Sequence, residues 1–150
     1  MSKFKFDTER KTIWDLSQGK IYNICRENDY YIVIAEPDHG IGLFDKEKDD
    51  IIITPVYDWI DEPYFGIPGN RNKPFIISKN DKHGIALPDG TIAINTVIDS
   101  HKYVVYPHTY GEGFVGASQN KANMNVGDPI CFLNKNGEQC TGFNYTSVCL

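Results

Sequence analysis

The sequence predicts a mainly β fold, a single domain over residues 1–150 built from three to four stacked β-hairpin units. Three observations carry this prediction. Apolar residues come in short β-branched and aromatic runs cut by turn residues. No window of eleven residues or more places apolar positions at three- and four-residue spacing, so helical periodicity is nearly absent. One layout also recurs: an apolar strand, a tight turn, a second apolar strand and a closing anchor. It runs through His39-Gly40-Ile41-Gly42-Leu43 with Thr54-Pro55-Val56-Tyr57-Asp58, then through His83-Gly84-Ile85-Ala86-Leu87 with Ile92, Ile94 and Ile98. A third copy runs through Ile130-Cys131-Phe132-Leu133 with Cys140 and Tyr145. Gly40 and Gly84 are taken as equivalent, with Cys131 in the place of a third glycine.

In chain order, Thr12–Leu16 and Ile21–Ile24 flank Ser17–Lys20 as a hairpin. Tyr30–Ala35 is unbroken and apolar, the pattern of a central strand covered on both faces. Ile41–Phe44 and Ile51–Ile53 flank a charged tip, Asp45–Asp50. Pro74–Ser78 reads as a further buried strand, turned by Asn80-Asp81-Lys82. Asp89-Gly90 and Asn136-Gly137 are the clearest turn signals, because glycine accepts the positive φ that tight hairpins require. Two segments fall outside the spacing. Phe65–Lys73 reads as a surface loop, and Pro107–Asp128 as a long loop with a short helix between Ser118 and Val126.

A chain of 150 residues buries enough surface for a core without staples. An apolar fraction of 41% suits a globular protein. No stretch approaches a membrane span of about 20 apolar residues, and the N-terminus lacks the apolar run of a signal peptide. A cytoplasmic protein with reduced cysteines is therefore expected, in which the Asn144-Tyr145-Thr146 sequon has no meaning. The net charge of −5 is uneven: Glu36–Glu62 carries −7 and the rest +2. That excludes a basic nucleic-acid footprint. Such an acidic stretch is either a solvated hairpin tip or a face that steers a basic partner.

The units resemble WG repeats, the Trp-Gly-containing modules of bacterial proteins. The order Tyr57-Asp58, Pro74–Ile77, Lys82-His83-Gly84-Ile85 is similar to that family's unit, as is Tyr22-Asn23, Tyr30–Ala35, His39-Gly40-Ile41. His39 and His83 stand where the family has Trp, and Ile130-Cys131 replaces the third Trp-Gly. The resemblance covers most of residues 12–148 and implies an array of β-hairpin units, not an activity. One hairpin cannot bury its apolar face alone, so neighbours must stack.

Candidate chemistry is sparse. His39 and His83 at equivalent repeat positions are read as packing residues, with Tyr57 and Tyr145 as strand anchors. His101 and His108 lie among Tyr103, Tyr106 and Tyr110, a patch that reads as a tyrosine-rich strand and loop rather than a binding site. The cysteines (Cys25, Cys131, Cys140, Cys149) contain no C-x-x-C pair, so no zinc site is expected, and Cys140 is placed opposite Leu133. The glycines around Glu112 lack the spacing and the Lys-Ser/Thr ending of a phosphate loop. Neither Asp49-Asp50 nor Asp61-Glu62 matches a calcium loop.

No cofactor, metal or catalytic group is therefore expected, and the reading is a non-enzymatic binding protein. A small, acidic chain of this kind fits an immunity protein that blocks a toxin, with a basic nuclease as candidate partner. The docking face is then Asp45, Glu47, Asp49, Asp50, Asp58, Asp61 and Glu62 for steering, with Trp59, Tyr64 and Phe65 as apolar anchors. Trp59 reads equally as core. Two rivals stand beside it: a small hydrolase using Cys or His near residues 107–128, and a scaffold binding peptide or glycan through tyrosines. An uncovered terminal strand leaves dimerisation open.

Overall fold

The computed structural model describes residues 2–27, 29–61, 74–121 and 128–146, among which every regular element is a β-strand. The chain forms two compact units, Met1–Arg71 and Asn72–Leu150.

The first unit is an antiparallel meander in which each strand pairs with the next: β1 (Phe4–Asp7), β2 (Thr12–Asp15), β3 (Lys20–Glu27), β4 (Tyr31–Glu36), β5 (Gly40–Asp45) and β6 (Asp50–Tyr57). A short strand, β7 (Trp59–Asp61), follows. Side chains alternate across a strand, so every second residue falls on one face. On that face Phe4, Ile13, Tyr22, Ile32, Ile34 and Phe44 form one buried cluster. The expectation for the fourth strand holds, since Tyr31, Ile32, Val33 and Ile34 are all buried. β1 was not anticipated. Its signal is the Phe4-Lys5-Phe6-Asp7 alternation, with Phe4 buried and Lys5 exposed.

The meander curls on itself. Phe4 and Phe6 of edge strand β1 meet Phe44 of β5 edge-on, with ring centroids 5.1 and 5.6 Å apart. Lys3, just before β1, reaches Asp50 at the start of β6 at 3.5 Å. A twisted sheet closes this way when one face is richly apolar and has nothing else to cover it.

Three of its hairpins share one loop. Asp7, Asp15 and Asp45 each end a strand, and each accepts hydrogen bonds through Oδ1 from the backbone N–H groups two and three residues on, at 2.9–3.2 Å. Four residues later the chain turns through positive φ, at Lys11 (53°), Gly19 (66°) and Asp49 (53°). A short carboxylate can mimic a turn of backbone, and that bond fixes the register of each hairpin.

The second unit holds two antiparallel meanders, β8 (Phe75–Lys79), β9 (Lys82–Ala86) and β10 (Ile92–Asp99), then β11 (Tyr103–Gly111), β12 (Phe114–Gln119), β13 (Pro129–Leu133) and β14 (Tyr145–Thr146). Ile85, Ile94 and Ile98 from the first pack with Tyr103, Val105, Val115, Ala117, Cys131 and Leu133 from the second.

Here the structure corrects several expectations. Residues 107–119 are not a loop but most of a hairpin, turned at Glu112 (φ 52°) and Gly113 (φ 86°). The β-branched and aromatic run Tyr103-Val104-Val105-Tyr106 was its signal. Ser118 lies in β12 rather than at the start of a helix, and 122–127 lie outside the described residues. Gln139, not Cys140, bridges to Leu133, because the turn spans Asn134–Glu138 rather than two residues. Tyr145 is exposed and touches Phe132 edge-on at 5.1 Å.

The recurring glycine is also re-assigned. Gly84 sits opposite a bulge in β10, between the pairs Ile85–Ile94 and His83–Ile98. The same place in β5, between Leu43–Ile53 and Ile41–Tyr57, belongs to Gly42 and not Gly40. A Cβ at Gly42 would collide with the Ile53 carbonyl, and one at Gly84 with the Ile94 carbonyl. This close approach is why neither position carries a side chain. His83 therefore corresponds to Ile41, and His39 has no packing role: its side chain is 64% exposed, with Nε2 3.9 Å from Glu36.

Candidate functional site

The described residues of the first unit offer two features that a partner could use. The larger is the open end of the curled sheet. A hollow of about 670 Å³ lies between the β1–β2 and β5–β6 loops. Its floor is apolar, made by Ile24, Ile32, Phe44 and the half-exposed Phe6. That size is within the roughly 300–1,000 Å³ of ordinary small-ligand sites. A register shift in β3 helps to open it: Ile24 pairs with Ile34 and Arg26 with Val33, so Cys25 is the extra residue of a bulge.

The rim of this mouth is charged but partly self-neutralised. Lys46 Nζ meets Glu27 Oε2 at 2.9 Å across the loop ends. Asp7 holds its own turn and lies 3.9 Å from Arg10. Arg26, Lys11 and Asp49 complete the charged rim. Cys25 lines it as a largely exposed thiol whose pKa is nudged up by the partial burial of its sulfur, an effect that the nearby Arg26 guanidinium offsets only in part.

The second feature is on β7. Trp59 is 42% exposed, and Asp58 and Asp61 on either side are exposed as well, while Ile60 between them is fully buried. Arg26 steadies the indole. Its guanidinium lies 5.4 Å from the ring centroid and donates to the Ile60 carbonyl at 3.1 Å. A cation over an aromatic face is attracted to it, so the guanidinium and the indole hold one another in place. Trp59 is thus a surface residue and not core.

The anticipated acidic face is divided. Asp45 is fully buried and committed to its turn. Glu47 is exposed at the hairpin tip, and Asp49 lines the mouth. Asp50 pairs with Lys3 and accepts from the Ile51 N–H. Asp58, Trp59 and Asp61 lie beyond the other end of β6, whose ends pair with Asp45 and Ile41 of β5, roughly 13 Å apart at about 3.3 Å per residue. Glu62, Tyr64 and Phe65 lie outside the described residues. Sequence proximity joined two groups that an eight-residue strand holds apart.

The nucleophile–base pairings are weak. Ser78 Oγ and His83 Nδ1 are 2.8 Å apart as cross-strand neighbours on β8 and β9, a pairing that both residues' register explains. Cys131 is buried in the second unit's core with its pKa raised by burial. His101 is exposed beside Asp81, and His108 stacks edge-on with Tyr106. Among the described residues no group of three or more His, Cys, Asp or Glu side chains could hold a metal ion, and no helix is long and apolar enough to cross a membrane.

No family model matches the chain, and neither a curated protein nor a solved structure matches it.

Proposed function

We propose that this chain is a non-enzymatic protein-binding module of the bacterial cytoplasm, acting as an immunity protein that occludes a toxin, with a basic nuclease as candidate partner. The observation that supports it most is Trp59: an exposed indole braced by Arg26 and flanked by two exposed carboxylates. Trp and Arg dominate binding hot spots, and flanking carboxylates would steer a cationic partner and fix its register. The docking face is accordingly narrowed to Asp58, Trp59 and Asp61, with Glu47 and Asp49 on a separate tip. The WG-repeat kinship belongs to the same proposal. It is supported by the meanders and by the matching places of Gly42 and Gly84 opposite their bulges.

The test is co-expression with the product of each neighbouring gene. One product should arrest growth alone and be tolerated in the presence of this chain. The Trp59→Ala and Asp58→Asn/Asp61→Asn variants should lose that protection, and the affinity should fall as salt rises. Protection that survives all three substitutions rules out this face. Absence of any toxic neighbour removes the immunity role.

A further inference from the structure

The mouth of the curled sheet touches the Trp59 face only through Arg26, which lines the one and stacks on the other, and its chemistry selects a different kind of ligand. Two loops of one design bracket it. Each begins with an aspartate that caps the turn, Asp7 in one and Asp45 in the other. Each turns through positive φ at its fourth loop residue, and those residues are Lys11 and Asp49, both at 53°. In the sister loop between β2 and β3, which does not line the mouth, the same place holds Gly19. Two L residues adopt this unfavourable conformation where the loops border the hollow.

Both side chains are unused. Among the described residues neither the Lys11 ammonium nor the Asp49 carboxylate has an ion-pair or hydrogen-bond partner. Glu27 and Lys46 satisfy each other, and Asp7 is occupied by its turn and Arg10. Arg26, which also lines the mouth, is engaged by the Trp59 ring and the Ile60 carbonyl. What remains is one cation and one anion, Lys11 and Asp49, on opposite loops, over a floor of Phe6, Ile24, Ile32 and Phe44.

We propose that this mouth binds a short apolar peptide with free termini, its carboxylate against Lys11, its ammonium against Asp49 and its side chains on the aromatic and aliphatic floor. A zwitterion matches a rim that is neutral in sum but has two separated poles. An apolar body matches the floor, where area removed from water supplies most of the affinity. Exposed charge contacts supply selectivity more than strength. A hollow of about 670 Å³ is ample for a di- or tripeptide.

Calorimetric titration of the intact protein with Leu-Leu, Leu-Phe and Leu-Leu-Leu tests this. The N-acetylated and C-amidated forms of each should bind roughly five- to tenfold more weakly. Lys11→Gly should cancel the penalty for amidation, and Asp49→Asn the penalty for acetylation. Lys11→Gly is the safeguard against a folding artefact, because glycine suits that φ better than lysine. Bound peptide should also slow alkylation of Cys25 on the mouth and leave Cys140 unaffected. Equal affinity for capped and free peptides overturns the proposal. So does absence of heat at millimolar peptide, or tight binding of 4-phenylbutyrate equal to that of Leu-Phe, which would assign the mouth to simple carboxylates. None of these outcomes depends on Trp59, so the proposal stands or falls apart from the immunity reading.

Discussion

The two ends of strand β6 carry acidic residues of the same kind and put them to different uses. At its start, the β5–β6 hairpin directs Asp45 inward to hold the turn, and Asp50 is tied to Lys3. At its end, Asp58 and Asp61 are exposed on either side of Trp59. A stretch carrying −7 is therefore not one negative face. The difference teaches that a carboxylate two residues before a tight turn's N–H groups is a backbone-mimicking group first, and a charge for partners only if the turn does not need it.

The substitutions that would break this picture most strongly lie beside the strand rather than at its ends. Gly42→Ala places a methyl against the Ile53 carbonyl and the Pro55 backbone, where nothing flexible can yield. We expect a loss of about 3 kcal/mol, measured by chemical denaturation. Gly84→Ala should cost the same, since its Cβ meets the Ile94 and Asn95 backbone. Gly111→Ala, with open space around it, should stay within about 0.5 kcal/mol of the parent. Equal costs at all three would remove the bulge-packing explanation.

Next in size is Asp45→Ala. It removes a buried carboxylate that accepts two N–H bonds and should cost about 2 kcal/mol. A cost indistinguishable from that of an exposed acid would return Asp45 to the docking face.

Much of this was legible in the chain. The strands from Thr12 to Ile53, and both Asp-Gly and Asn-Gly turns, follow from local pattern, because β-branched runs and glycine turns act within a few residues. The curl of the first sheet was not legible. Phe4 and Phe6 meet Phe44 some forty residues away, and no local signal specifies that distance. The mouth was hidden for the same reason, since its residues come from β1, β3, β4, β5 and two loops. The glycine assignment slipped by two residues because His39-Gly40 and His83-Gly84 look alike, whereas the bulges in β6 and β10 decide the register. The acidic stretch was read by count, and a count does not show which side of a strand, or which end, a charge occupies.

Asp15 sharpens the comparison through pH. It is almost fully buried and caps its loop like Asp45. Burial alone would raise its pKa, yet the Ser17 hydroxyl at 2.6 Å, the Gln18 and Ser17 N–H groups and the Lys3 charge together hold it below the ordinary value. A carboxyl depressed by folding contributes stability that is complete above its unfolded pKa and lost as pH falls through the folded one. Stability should therefore decline below about pH 4, and Asp15→Asn should flatten that decline by up to ~1.4 kcal/mol per pH unit. An unchanged acid slope would mean the hydroxyl and amide bonds do not favour the charged form.

The smallest effect belongs to the exposed end. Asp58→Asn with Asp61→Asn should change stability by about 0.5 kcal/mol or less, because both carboxylates are exposed and charge interactions at the surface contribute little to folding. Trp59→Ala should likewise leave the denaturation midpoint nearly in place, since Ile60 rather than Trp59 is the buried residue of β7. Arg26 would lose its ring contact but keep its bond to the Ile60 carbonyl. A large destabilisation from Trp59→Ala would show the indole working for the fold, and the argument for a partner at this end of β6 would go with it. A near-silent triple substitution that abolishes protection from a toxic neighbour would separate the two ends cleanly: carboxylates that build the hairpin at one, carboxylates that serve a partner at the other.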